Sequence, residues 1–584
     1  MSSISGREWW RSAHVYQIYP MSFCDGNGDG IGDVPGITSK LDHLRDLGVD
    51  VIWLSPIYAS PNKDNGYDIS DYEALDPRYG TMEDMEALLK GCKERGLKIV
   101  MDLVVNHTSS EHKWFLESRK SKTNPKRDWY IWRPAKYDTD GKRHPPNNWS
   151  AAWGGSAWEW DEETQEYWLH FFLPEQPDLN WDNPVVREAV FDLMHFWLRK
   201  GVSGFRMDVI NLISKPEGLP DAPSNKPGEL VWGINSVNGP HVHEYLQEMN
   251  ARVLSHYDTI TVGETPWTHE PAELAPYVLP SSRELNMVFT FDHMDIDAAN
   301  LEPLYPREWK LSELKSILNK WQTHMHSLGG WNSIYIENHD QARSVSRFGS
   351  EDEKYRALSA KMLATLAIAQ SGTIYVFQGQ EIGMKNVPSD WSVDEYKDVA
   401  SQHHWKHLLE LRKRDNPNPD MSDVMAALRL KARDNARTPV QWSGEVNGGF
   451  STAAKPWMRA NPDFKQWNIE KQKDDPESVL SFWKQVLRTR KQHDVLILGS
   501  FRIIAPEDEK IFAVARQFED KTALILLNFS RDMVSFQVPA DDPIHPDLST
   551  LELVLANYSD ATAAQTNFNL KPFESRVYVT KEGM

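Results

Sequence analysis

Residues 97–105 read LKIVMDLVV and run straight into Asn106 and His107. A nearly continuous apolar run of this kind is a strand buried on both faces, as in a parallel sheet covered by helices. Immediately before it, Met82–Arg95 carries a helical period that Gly96 ends as a C-cap residue. Further back, Val51–Leu54 is a second strand, preceded by a helix over Ile37–Leu47 with Ile37, Leu41, Leu44 and Leu47 on one face. Val15–Tyr19 is the first strand. Downstream, Gly204–Met207, Ile260–Val262, Met287–Phe289, Ser333–Ile336 and Thr373–Phe377 repeat the short apolar or β-branched run between helical stretches. Eight such strands alternating with helices predict an α/β fold, a parallel (β/α)8 barrel.

Two segments break that alternation. Between Asn106 and about Asp178 the helical period is lost and Trp, Pro, Gly and Asn dominate, which predicts a small domain inserted after the third strand. From about Leu498, the runs IFAVARQF, TALILLNF, VSFQV and RVYVT alternate at period two, which predicts a C-terminal antiparallel β-domain. The expected division is therefore barrel over 1–106, inserted domain over 107–178, barrel again over 179–497, and β-domain over 498–584.

Composition narrows the function classes. A formal net charge of −20 argues against sequence-independent binding to nucleic acid or to an anionic membrane. Cys24 and Cys92 cannot build a disulfide framework or a four-ligand zinc site. Met1–Arg11 has no apolar run of signal-peptide length, and nothing later approaches the roughly 20 apolar residues of a membrane span. The expectation is a cytoplasmic monomer acting on a neutral small molecule, with the sequons at Asn148 and Asn528 occurring by chance. Twenty-four tryptophans, many between Trp114 and Trp181, suit the wall of a pocket as well as a core.

The acids fall at the strand ends. GFRMDV places Arg206 and Asp208 after the fourth strand, TVGE places Glu264 after the fifth, and IYIENHD places His339 and Asp340 after the seventh. In a (β/α)8 barrel these ends converge on one mouth. Three convergent carboxylates, with no cysteine pair and no Gly-rich phosphate loop, suit cleavage of a glycosidic bond. One attacks the anomeric carbon, one of raised pKa protonates the leaving oxygen, and one holds sugar hydroxyls. Arg206, on the same strand face as Asp208, is expected to keep that carboxylate ionised. Spacing alone does not assign the three roles. Elsewhere, Asp25, Asn27, Asp29, Ile31 (through its carbonyl) and Asp33 stand at positions 1, 3, 5, 7 and 9 of a Gly-rich loop. That is the oxygen-ligand spacing of an EF-hand without its position-12 glutamate.

The segments QIYPMSF, DGNGDGIGD, DNGYDI, DLVVNHTS, QPDLNWDN, GFRMDV, VGE, ENHDQARSVSRFG, FQGQEIG and ARTPVQW, in that order from near residue 16 to near 442, resemble the α-amylase superfamily (glycoside hydrolase family 13). Within it, the resemblance is to the oligo-1,6-glucosidase and fungal isomaltase/maltase branch. The resemblance implies Asp208 as nucleophile, Glu264 as general acid/base and Asp340 as the third, transition-state-stabilising carboxylate. It implies a terminal glucose held by Asp64, Tyr67, His107, Phe172, Arg206, His339 and Arg437, with Asp64 and Arg437 paired at the closed end, as an exo-acting enzyme needs. It supports structural Ca2+, or Mg2+, in the loop at Asp25–Asp33. Members that cut α-1,6 bonds usually carry Val after the nucleophile, and here that residue is Val209. Thr265-Pro266 and Ala152 depart from the yeast pattern, where Met-Gln and Tyr stand, and put the second-sugar contacts in question. The expected activity is a retaining α-glucosidase preferring α-1,6 linkages. Alternatives are an α-1,4-preferring maltase or sucrase, a transglucosylase or sucrose isomerase, and a non-enzymatic transporter subunit.

Overall fold

The computed structural model describes residues 6–224, 226, 229–232, 236–300 and 302–581. Of the N-terminal stretch Met1–Arg11, the first five residues lie outside this range. Eight parallel strands form one sheet, numbered here β1 (His14–Ile18), β2 (Val51–Leu54), β3 (Lys98–Leu103), β4 (Gly204–Met207), β5 (Ile260–Glu264), β6 (Met287–Phe289), β7 (Ser333–Ile334) and β8 (Thr373–Phe377). They neighbour one another in sequence order, and β8 pairs back onto β1 with His14 opposite Ile374. The ring closes between β6 and β7 through side chains. Ser333 Oγ donates to the Val288 carbonyl, and the Tyr335 hydroxyl donates to that of Thr290, both at 2.7 Å. At the start of β4 a glycine is required. A Cβ on Gly204 would stand 1.8 Å from the Ile260 carbonyl oxygen.

The helix expected over Ile37–Leu47 is two helices, Val34–Ser39 and Leu41–Leu47, hinged at Lys40. Asp33 caps the first through Gly36 N–H, one turn earlier than the apolar period indicates. Thr38 and Ser39 then turn their hydroxyls onto the carbonyls of Val34 and Gly36, which bends the chain.

The stretch after β3 builds a three-stranded antiparallel sheet from Trp132–Arg133, Trp158–Asp161 and Glu166–Leu169. Its own core of Ile131, Trp149, Trp158, Leu169 and Phe171 also buries Val209 and Leu212, the residues that follow β4. Isolated bridges His107–Asp178 and Tyr130–Leu179 tie it to the barrel. The inserted segment thus packs directly over the end of β4. At the C-terminus, β9 (Arg502–Ile504), β10 (Ile511–Phe518), β11 (Lys521–Asn528), β12 (Leu551–Ala556) and β13 (Ser575–Thr580) form an antiparallel sheet in the order β9-β10-β11-β13-β12. Val534–Gln537 and Asn567–Leu570 pair separately and share a second apolar core with it. Among the described residues no helix is long and apolar enough to cross a membrane.

Candidate active site

Arg206 is the hub of the barrel mouth. It lies on β4 opposite Asp102 of β3, two residues before Asp208 and on the same strand face. One guanidinium nitrogen, Nη1, donates to Asp102 at 2.6 Å and to Asp208 at 2.7 Å. The other, Nη2, lies 2.6 Å from Glu264 Oε1 at the end of β5. Arg206 itself is 1% exposed. The second oxygen of Asp102 accepts the Trp53 indole N–H at 3.0 Å.

Burial dominates the charge state of this group. Removal from water pushes Asp208 up to about 6 against the pull of Arg206. Asp102 is pushed up to about 6 for the same reason. Glu264 goes furthest, to about 8, because burial is opposed by Arg206 but reinforced by the charges of Asp208 and Asp340. Arg206 acts on Asp208 in the expected direction, toward the ionised form, but one guanidinium is divided among three carboxylates and burial outweighs its pull. Asp340 is the opposite case. Burial acts to raise it, yet Arg433, His339 and Arg437 together hold it well below the usual carboxylate range. Arg433 Nε and Arg437 Nη2 each donate to its Oδ1 at 2.8 Å.

The residues expected to hold the sugar lie around these acids. Tyr67 stacks on His339 with ring centroids 5.4 Å apart and reaches its Nε2 through the hydroxyl at 2.6 Å. Gln17 touches Nδ1 of the same ring at 2.8 Å, and burial holds His339 well below the ordinary histidine range. His107 meets the Tyr67 carbonyl at 3.1 Å and packs beside Phe172 at 5.1 Å between centroids. Asp64 is buried, with Oδ2 accepting from Gln176 Nε2 at 3.0 Å and Oδ1 left without a partner. A buried, unsatisfied carboxylate oxygen is a ready acceptor for a hydroxyl group.

The expected Asp64–Arg437 pair is not formed. Arg437 Nη1 donates instead to Asp398 at 2.7 Å while Nη2 holds Asp340, so two nearer carboxylates satisfy it. Thr265 is also unavailable as a second-sugar contact, since its hydroxyl donates to the Phe289 carbonyl at 3.0 Å and the residue is fully buried. Sequence reasoning missed Asp102, Gln176, Arg433, Asp398 and Trp153, the last lying under the Arg433 guanidinium at 5.4 Å. Arg433 carried a usable signal, standing one helical turn before Arg437. Asp102 carried a fainter one, as the lone acid in LKIVMDLVV.

Val209 is the conformational outlier of the site. Its φ of 35° and ψ of 43° lie in the left-handed region, which a β-branched residue adopts only under strain. Strand propensity therefore does not account for valine here. Its N–H donates to Glu264 Oε2 at 3.1 Å.

The loop from Asp25 to Asp33 closes on backbone amides. Asp25 accepts N–H bonds from Gly28 and Gly30, Asp29 from Ile31, and Asp33 from Gly26, Asn27 and Gly36. Ser451 adds a hydroxyl to Asp25 at 2.5 Å. Among the described residues no group of three or more His, Cys, Asp or Glu side chains gathers around one point. The donors of this loop are nonetheless all oxygen, the set that hard divalent cations take.

A closed parallel barrel whose strand ends present carboxylates around a buried arginine, without a phosphate loop, defines a barrel-type, carboxylate-dependent enzyme. The chain belongs to the α-amylase family, glycoside hydrolase family 13: residues 17–499 match the family model described as "Alpha amylase, catalytic domain". It is 50% identical over 574 residues to an oligo-1,6-glucosidase of Parageobacillus thermoglucosidasius, covering 98% of this chain and 99% of that one. It is 48% identical to an alpha-glucosidase of Schizosaccharomyces pombe, with 97% of both chains covered. The solved structure of a Bacillus licheniformis trehalose-6-phosphate hydrolase variant superposes with a TM-score of 0.91 at 43% identity, covering 98% of this chain and all of that one.

Proposed function

We propose that this chain is a retaining, exo-acting α-glucosidase that releases α-glucose from the non-reducing end of short α-glucosides, preferring α-1,6 linkages. The carrying observation is that one guanidinium spans Asp208 and Glu264. That brings the two carboxyl groups within the reach of a single side chain, consistent with the short spacing, about 5–5.5 Å, of retaining enzymes. Asp208 attacks the anomeric carbon while the proton of Glu264 passes to the glycosidic oxygen, and the second sugar leaves. Glu264, now ionised, takes a proton from water, whose oxygen attacks the same carbon and releases Asp208. The raised Glu264 supports the acid role, and the strongly acidic Asp340, ionised throughout, supports the anion that holds sugar hydroxyls.

Asp64, Tyr67, His107, Phe172 and His339 form the glucose pocket in this reading, with Arg206 and Arg437 fixing its charges. The α-1,6 preference rests on Val209, whose branched side chain narrows the approach of the second sugar and leaves room for the longer 1,6 linkage. Ca2+ or Mg2+ in the loop of Asp25, Asn27, Asp29, Ile31 and Asp33 is part of the proposal, as a structural ion that orders the first strand–helix connection. So is a monomer in the cytoplasm, consistent with two buried free thiols that call for no oxidising compartment.

Initial rates of glucose release on isomaltose and maltose test the reading, with Asp208→Asn as the control. Faster isomaltose cleavage, abolished in the folded variant, is expected. Faster maltose cleavage overturns the linkage preference, and an active Asp208→Asn overturns the nucleophile.

A further inference from the structure

We propose that Val209 is a positioning residue for the acid/base: its backbone, held in the left-handed region, aims its N–H at Glu264 Oε2 and fixes the orientation of the carboxyl group that delivers the proton. The proposal rests on the reading of Glu264 as acid/base and adds how that group is oriented.

The β3 ladder ends at Asp208, whose N–H goes to the Leu103 carbonyl. The next N–H, that of Val209, points to the other neighbour, β5, and meets Glu264 Oε2 at 3.1 Å. Arg206 meets Oε1 at 2.6 Å. Oε1 therefore faces the guanidinium charge, while Oε2 accepts the Val209 N–H. The guanidinium stabilises negative charge on Oε1 more strongly than a neutral amide does on Oε2, so the proton resides on Oε2, the oxygen beside Val209.

The surroundings over-determine this turn, which is the condition for strained backbone to persist. Asn211 Nδ2 donates to the Pro266 carbonyl at 2.7 Å and to Thr268 Oγ1 at 3.1 Å, pinning the turn to the segment that follows Glu264. Beneath it, Gly263 gives the turn room to lie against β5. A Cβ there would meet Leu285 Cδ1 at 2.7 Å and Ile210 Cγ2 at 3.0 Å. The buried Val209 side chain is held from above by the core of the inserted segment.

The test replaces the amide between Asp208 and Val209 by an ester in the full-length protein, which removes the N–H and keeps the valine side chain. Loss of a donor to the ionised form moves the alkaline limb of kcat/KM upward, by about one pH unit. The rate on isomaltose, whose leaving group needs a proton, falls about 10-fold further than the rate on p-nitrophenyl α-glucoside. Val209→Ala, which keeps the N–H, leaves the limb in place. Asn211→Ala, which frees the turn from Pro266 and Thr268, shifts it in the ester's direction and serves if the ester protein does not fold. An unmoved limb in the ester or in Asn211→Ala, or an equal shift in Val209→Ala, overturns the proposal. Glu264→Gln is run beside them: it must lose the alkaline limb and show the same leaving-group dependence. If it does neither, the acid/base reading fails, and this inference with it.

Discussion

Arg206 Nη2 stands 2.6 Å from Glu264 Oε1, while Nη1 of the same guanidinium serves Asp208 and Asp102. Nucleophile and acid/base thus share one counter-charge, and a proton lost by either is felt by the other. Burial decides the outcome. Glu264, buried and with two further anions nearby, is the group left protonated near neutrality.

The first consequence is a bell-shaped profile of kcat/KM. The nucleophile must be ionised, and burial sets it at about 6; the acid must be protonated, and burial sets it at about 8. Activity therefore rises through about pH 6 and falls through about pH 8, with both limbs belonging to the coupled pair. Steady-state rates on isomaltose from pH 4 to 10 check this. A profile flat from pH 7 to 10 contradicts it.

Replacing the hub follows directly. Arg206→Lys keeps a charge but loses the fork that reaches three carboxylates at once. Because Arg206 lowers both Asp208 and Glu264, weakening it moves both limbs of the pH profile upward. The value of kcat/KM falls by about 100-fold or more. Unshifted limbs count against the shared-guanidinium account.

Arg433 clamps Asp340 through Oδ1, the oxygen that Arg437 also holds. Arg433→Met releases the carboxylate from one of its two guanidinium partners, and kcat/KM on isomaltose falls by about 10- to 100-fold. Arg433→Lys recovers part of that loss. Wild-type kinetics in Arg433→Met assign the holding of Asp340 to Arg437 alone.

How far these residues could be read beforehand depends on the range of the interactions involved. The eight barrel strands were legible because a buried parallel strand writes itself as a local apolar run, as in LKIVMDLVV. Asp208, Glu264 and Asp340 were legible because each follows such a run. Asp102 was hidden within one, since its meaning depends on Arg206 lying opposite it in register, 104 residues away. The Arg437–Asp398 pair spans 39 residues with no local pattern between them. The left-handed turn at Val209 ran against its own β propensity, and tertiary packing overrode that preference. The hinge at Lys40 turned on two hydroxyls that an apolar periodicity does not weigh.

The loop from Asp25 to Asp33 offers a prediction apart from catalysis. With Ca2+ bound there, chelation by EDTA removes a ligand specific to the folded state. The Tm then falls by about 2 °C or more and recovers on adding Ca2+. Asp29→Ala abolishes the response. A Tm indifferent to chelator and to added Ca2+ or Mg2+ shows that the backbone amides suffice to close the loop.

The most direct test of the central claim is the anomeric form of the glucose first released from p-nitrophenyl α-glucoside, whose leaving group has no anomeric centre, followed by 1H NMR before mutarotation. Two displacements at one carbon, by Asp208 and then by water activated at Glu264, give α-glucose first. First-formed β-glucose means a single displacement by water and contradicts the account.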